Sequence, residues 1–319
     1  MEKKQIKEGI GWRGNVPGYY KAFGYRVDSS IPLPEALPLQ ADRAADVTVR
    51  YEAVDITAVA PNPGGLWWQA CPSESHMLFG CRAGIFDIRD GKRIAMDAAA
   101  DAAPELLRMF LLGSAMGAIQ AQRGRIPIHA GAIVADGHAV MIAGNQGAGK
   151  STMTSALVHN GFFYLTDDVS SVEICGGIPM VVPSYPQRKL VRNSCIELGY
   201  DPACLPVVDR ERGKFAVRDR ARWCEEAVPA GALIELIPVP EGERLRAEPV
   251  NGLKQLTVIL RSLYRVWMHT QGDAIPPSTL KKLLTIASKI KIYHVYVPRG
   301  GRNILRNARD LADVLGLRP

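Results

Sequence analysis

From Tyr19 to about Asp97 the chain alternates apolar and polar residues with a period of two, in "ADVTVRYE" and again in "GIFDIRDGKRIAMD". Successive side chains on a strand point to opposite faces, so this pattern predicts short, half-buried strands. Asp90-Gly91 predicts a tight hairpin turn, and "APNPGG" at 60–65 a loop. The stretch predicts a small β-rich N-terminal domain over 1–100, with the polar, Gly-rich 1–18 as a flexible tail. The period then changes. Asp101 or a neighbour caps a helix, Pro104 suits its first turn, and Gly124 stops it. Leu106, Leu107, Phe110, Leu111 and Met116 cover much of its circumference, which predicts burial between layers. Gly113 and Gly117 form a GxxxG, read as close helix packing.

"IPIHAGAIVADGHAVMIAG" predicts two strands joined at Asp136-Gly137, with His129 on the first. Residues 150–160 predict a helix closed by Gly161. "FFYLTDD" reads as a buried strand ending in two acids, and "VSSVEICGGIPMVV" as a hairpin turning at Gly176-Gly177. Residues 186–225 are mixed in charge and predict irregular structure. "GALIELIPVP" and "KIYHVYVP" read as strands, and 251–268, 278–290 and 303–315 as helices. The fold class is α/β: a catalytic domain over 101–319 behind the smaller β-rich one.

Composition narrows the partners. Of 319 residues, 47% are apolar and 22% charged, so a packed core is expected. The net charge of +7 suits anionic ligands such as nucleotides or an acidic peptide. No Lys/Arg-rich run interleaved with aromatics occurs, so nucleic acid is not an expected partner. The six cysteines form no CxxC and no metal-spaced cluster, and read as small buried hydrophobes in a reducing cytosol. The first residues lack the apolar core of a signal peptide. The stretch from Leu106 to Ile119 carries Arg108 and falls short of the roughly 20 residues of a membrane span. A cytoplasmic, membrane-free protein is expected; assembly into a homo-oligomer stays open.

The strongest chemical signal is Gly144-Asn145-Gln146-Gly147-Ala148-Gly149-Lys150-Ser151-Thr152, which matches G-x-x-x-x-G-K-[ST] between a strand and a helix. Glycines let successive N–H groups turn into one concavity, and the helix N-terminus adds its positive end. Lys150 suits the β- and γ-phosphates, and the Ser151 hydroxyl suits Mg²⁺. The expected cofactors are ATP and Mg²⁺. Asp167 and Asp168 follow one helix and one strand later, where a parallel βαβ unit returns beside the loop. One carboxylate can neutralise metal charge while the other accepts a hydroxyl proton; a solvated turn is the alternative. His129 reads either as a satisfied core residue or as a third site group. "YPQRKLVR" and the charged run after it offer Arg188, Lys189 and Lys214 as contacts for substrate or phosphate.

A histidine strand, a hairpin, a loop ending GKST, a short helix and a strand ending DD together resemble the catalytic domain of HPr kinase/phosphorylase, over about 126–175. The resemblance implies a P-loop (HPr kinase-like) catalytic domain in which His129, Lys150, Ser151, Asp167 and Asp168 line one site. It implies that Asp167 is base to an acceptor serine and that Asp168 serves metal or phosphate. "LEIRGLGI", which follows the acid pair in HPr kinases, is replaced here by "VVPSYPQRKLVRNSCIELGY". "YYKAFGYRVDSSIPLPEALP" and "LLGSAMGAIQAQRGRIPIHAG" are similar to the HPr-kinase-like proteins of lasso-peptide biosynthesis. That branch implies phosphorylation of the C-terminal serine of a precursor peptide. The alternatives are a kinase of another protein or small-molecule hydroxyl, and a nucleotide-binding regulatory module without acceptor chemistry. The last would need only one metal-side acid.

Overall fold

The period-two stretches form eight strands: β1 (Gly18–Ala22), β2 (Tyr25–Ser29), β3 (Leu37–Leu39), β4 (Val47–Tyr51), β5 (Trp68–Ser73), β6 (His76–Cys81), β7 (Gly84–Arg89) and β8 (Arg93–Ala98). A computed structural model describes residues 18–56, 68–272, 274–299 and 304–319. Residues 1–17 of the tail expected over 1–18, the loop at 60–65 and the start of the last helix at Asn303 lie outside the described residues, and Gly18 opens a strand. The eight strands make one sheet, ordered β3-β1-β2-β4-β8-β7-β6-β5. Asp90 and Gly91 both take positive φ, 55° and 61°, as the tight turn between β7 and β8 requires.

The helix that follows begins at Pro104, with Ala103 at its N-cap and no side-chain cap bond, so Asp101 does not cap it. It runs as α1 (Pro104–Phe110), a π-turn over Leu111–Ala115, and α2 (Met116–Gln122). As its apolar circumference predicts, it is buried, packing Leu107, Leu111 and Ile119 against Phe79, Phe86 and Met96 of the sheet. The same apolar cluster continues into Val169, Tyr185 and Tyr264.

The expected strand through His129 is two strands, β9 (Ile126–Ile128) and β10 (Gly131–Ala135). They part because β9 pairs with β13 whereas β10 pairs with β11 and β12. A second sheet contains β11 (His138–Gly144), β12 (Phe163–Thr166), β13 (Ser170–Cys175), β14 (Ile178–Val182) and the central β18 (Val228–Val239), with α3 (Lys150–His159) between β11 and β12. Its order is β12-β10-β11-β18-β14-β13-β9. The predicted unit β11–α3–β12 is parallel, but β10 lies between the two strands, antiparallel to both. Their C-terminal ends still meet at one edge of the molecule.

Residues 186–225 are not irregular. They contain β15 (Gln187–Val191), α4 (Arg192–Glu197), β16 (Val207–Asp209) and β17 (Lys214–Arg218), with a three-stranded sheet β15-β17-β16. The last part adds β19 (Arg246–Val250), α5 (Leu253–Arg261), α6 (Pro277–Lys289), β20 (Lys291–Pro298) and α7 (Ile304–Leu315). β20 extends the large sheet beside β18, and β19 pairs with β20. One face of that sheet packs under α3 and α7 through Ile142, Leu157 and Leu311. The other packs under α5 and α6 through Met141, Ile259 and Leu283.

The helix expected over 251–268 ends at Arg261, and a short 3₁₀ turn over Val266–His269 follows. His269 is buried there, beside the chain of Tyr264 and Pro127. Burial pulls its pKa down to about 4. The unfolded chain therefore takes a proton near pH 6.5 that the fold resists. His269 contributes stability above that pH, lost as pH falls towards 4. Between pH 7.5 and 4.5 the protein should lose up to about 3 kcal/mol more than a His269→Gln variant. Urea unfolding across that range would show it; parallel curves for the two proteins would refute it.

No helix among the described residues is long and apolar enough to cross a membrane. The cysteines correct the expectation of burial: Cys195 is buried, whereas Cys71, Cys175 and Cys204 are exposed. Cys195 packs in the core with Leu190 and Leu198, whereas the exposed three stand outside the core clusters.

Candidate active site

The glycine loop leaves β11 at Gly144 and enters α3 at Lys150. Gly144, Gly147 and Gly149 have φ of 145°, 80° and 94°, a backbone that side-chain-bearing residues rarely adopt. A Cβ on Gly147 or Gly149 would meet nothing within 4 Å, so the loop faces open space. Ala148 N–H bonds to the Asn145 carbonyl, which closes the turn. The N–H groups that open α3 have no partner within the helix and are available to an anion. Lys150 Nζ folds over the loop, donating to Gly144 O at 2.8 Å and Asn145 O at 3.3 Å. Burial lowers its pKa, Asp168 opposes that shift, and Lys214 adds to it. The Thr152 hydroxyl pairs with Ser194 Oγ at 2.7 Å, tying the start of α3 to α4.

β12 brings the acid pair to the same edge. Its bend is fixed by Thr166 Oγ1 donating to Val169 O and Ser170 Oγ donating to Ala130 O, both at 2.9 Å. A side chain at Gly131 would strike Thr154 Oγ1 at 2.4 Å, so this glycine lets β10 pass between α3 and the acid pair. The two carboxylates then differ. Asp167 is 3% exposed; Oδ2 accepts the Lys189 backbone N–H at 2.9 Å and Oδ1 is buried without a partner. Burial pushes its pKa up, and Asp168 adds to this against the pull of Lys189. Asp168 has a side chain 32% exposed. Its Oδ2 accepts from Lys189 Nζ at 2.7 Å, and Oδ1 lies 3.5 Å from His129 Nδ1. Burial would raise its pKa too, but Lys189 and then His129 outweigh it and hold the carboxyl well below its usual range. Two adjacent acids pushed apart in proton affinity are the pattern that separates an acid–base role from a charge-holding one.

His129 sits in the break between β9 and β10, where its N–H donates to Ser262 O at 2.7 Å. Its ring stacks on Tyr264, with centroids 5.7 Å apart. Burial lowers its pKa, and Asp168 only partly offsets this against Lys150, Lys189 and Lys214. The GxxxG has its packing role, but against a tyrosine rather than a helix. A Cβ on Gly113 or Gly117 would lie 3.2 Å from the Tyr264 side chain. The glycines thus make room for the ring that supports His129, beside a π-turn, a distortion frequent near functional sites. Nothing in the sequence around Tyr264 signals this.

The basic candidates separate. Arg188 is fully buried, over the Tyr164 ring, and donates to Asp219 at 3.1 Å. It is a structural cation rather than a substrate contact, because it lies on the face of β15 opposite Lys189. Lys189 is held between the acids, and burial notwithstanding, Asp168 keeps it charged, above the usual lysine range. Lys214, opposite Val191 on β17, reaches the site electrostatically. Among the described residues no group of three or more His, Cys, Asp or Glu surrounds a metal position. Mg²⁺ commonly takes only one or two carboxylates beside phosphate oxygens and water, so a Ser151 hydroxyl and the Asp168 carboxylate fit its donor set.

No family model matches the chain, and no curated protein matches it. Among solved structures it is similar to the Hpr(Ser) kinase/phosphatase from Coxiella burnetii, at 15% identity and a TM-score of 0.28, over 59% of this chain and 98% of that one. A likeness of that degree decides neither fold nor reaction, so both rest on the residues above: a mixed α/β chain with a phosphate-type glycine loop facing an asymmetric acid pair.

Proposed function

We propose that the protein is an ATP- and Mg²⁺-dependent kinase that phosphorylates the C-terminal serine of a ribosomal precursor peptide, of the lasso-peptide kind. The observation that carries it is the meeting of the glycine loop with two unlike carboxylates, Asp167 with a buried oxygen that has no partner and Asp168 part-exposed and held by Lys189. A nucleotide switch needs one acid for the metal; a transferase needs a second for the acceptor proton. Lys150 and the loop N–H groups bind the phosphates. Ser151 and Asp168 hold Mg²⁺, which neutralises phosphate charge when bound. The serine oxygen forms a bond to the γ-phosphorus as the bond from that phosphorus to the ADP oxygen breaks. The serine proton passes to Asp167, whose Oδ1 has a lone pair free to take it. His129, stacked on Tyr264, positions the acceptor beside Asp168. The peptide assignment rests on the "FGYRVDSSIPLPE" resemblance. Phe23 of that stretch lies beside the acid-pair strand, its N–H donating to Ser184 O and its ring meeting Tyr185.

Incubation with ATP, Mg²⁺ and candidate precursor peptides should add the mass of one phosphoryl group to a serine, read by mass spectrometry. Nucleotide consumption with no modified peptide would sink the kinase reading.

A further inference from the structure

The three-stranded sheet β15-β17-β16 has two unlike faces. Arg188 and Leu190 of β15 alternate with Gln187, Lys189 and Val191; Phe215 and Val217 of β17 alternate with Lys214, Ala216 and Arg218. Leu190, Phe215 and Val217 belong to the core beneath α3. The register sets Gln187 opposite Arg218, Lys189 opposite Ala216 and Val191 opposite Lys214. Directly opposed residues share a face, and Gln187 Oε1 accepts from Arg218 Nε at 3.2 Å as that requires. The second face is thus the one from which Lys189 reaches Asp168, and Lys214 stands on it.

The cations of this face are not equivalent. Lys189 is spent on Asp168, and Arg218 on Gln187. Asp209, which the register also brings to Lys214, is taken by Arg82 at 2.9 Å and by the Arg212 N–H at 3.2 Å. Among the described residues, the Lys214 ammonium has no hydrogen-bond or ion-pair partner. Lys214 is half-buried, and its charge acts on Lys150, His129 and both aspartates. An ammonium on the site's face whose donors are unused is free to take the oxygens of an anion that arrives there.

We propose that Lys214 is a catalytic residue that contacts the oxygens of the phosphoryl group in transfer, reaching it from the β15-β17-β16 sheet while Lys150 holds the phosphates from the loop. The inference rests on the phosphotransfer reading. A cation placed where charge is shared between donor and acceptor stabilises the transferring group more than the bound nucleotide.

The test uses equilibrium binding by the full-length protein of MgADP alone and of MgADP with aluminium fluoride, a mimic of the phosphoryl group in flight. Wild-type protein should bind the fluoride complex more tightly than MgADP. Lys214→Met should keep MgADP affinity within about threefold and lose about 10²-fold for the fluoride complex; Lys214→Arg should recover most of it. Lys214→Gln serves if the Met variant fails to fold, as judged by its melting temperature. Equal affinity of the variant and wild type for the fluoride complex would overturn the role of Lys214 and leave the kinase reading standing. Equal losses for both ligands would make Lys214 a ground-state phosphate contact and also overturn it. A wild-type protein that binds no MgADP would remove the nucleotide reading, and this inference with it.

Discussion

Replacing Lys150 by Met should abolish transfer, with a fall of about 10³-fold or more in turnover and a marked loss of ATP affinity. The reason lies in the loop's geometry. The glycines hold the backbone so that N–H groups and the ammonium converge on one place, and the ammonium is parked on loop carbonyls at 2.8 and 3.3 Å. Those carbonyls are weak substitutes for phosphate oxygens, so the side chain is poised to leave them. Methionine keeps most of the stem's volume and removes the charge together with the donors that reach Gly144 O and Asn145 O. Titration with a fluorescent ATP analogue, alongside the peptide assay, measures both losses. A Lys150→Met protein with wild-type affinity and turnover would mean that the loop binds something other than phosphate.

Asp167→Asn should separate binding from chemistry. Nucleotide affinity should stay within a few-fold of wild type, since Asp168 and Ser151 are untouched, while turnover drops by about 10²–10⁴-fold. The amide can still accept the Lys189 N–H that now goes to Oδ2 at 2.9 Å, so the strand end keeps its shape. What disappears is a buried oxygen able to take a proton. Asp168→Asn should behave differently, losing the partner of Lys189 Nζ and the charge offered to Mg²⁺, and therefore raising the Mg²⁺ concentration required. Full turnover in Asp167→Asn would take the base role away from that residue.

Much of this site is legible in the sequence because its parts are local. A glycine loop is a run of consecutive residues with one backbone solution, and Asp136-Gly137 or Asp90-Gly91 fixes a hairpin by its own φ values. What the sequence conceals is non-local. His129 leaves the strand because β9 and β10 find different partners, a matter of Ile128 pairing with the distant Ser170 on one side and of the β10–β12 ladder on the other. β15 reads as irregular because the buried cation Arg188 stands with Leu190 on its core-facing side and breaks the polar–apolar alternation. Its period of two, once seen in "QRKLV", separates Arg188 from Lys189 without any structure. Tyr264 could not be found that way, since its partners are two glycines about 150 residues earlier and a histidine before a bend.

The apolar cluster that joins the N-terminal sheet to Val169, Tyr185 and Tyr264 bears on how the protein can be taken apart. A chain beginning at residue 101 would keep the whole glycine loop and both aspartates. It would also bare Leu107, Leu111 and Ile119 to water and remove Phe23 from beside Tyr185. Such a fragment would resemble a minimal enzyme on paper and an aggregate in the tube. Heat or denaturant should likewise silence catalysis together with the first sheet, in one step rather than two.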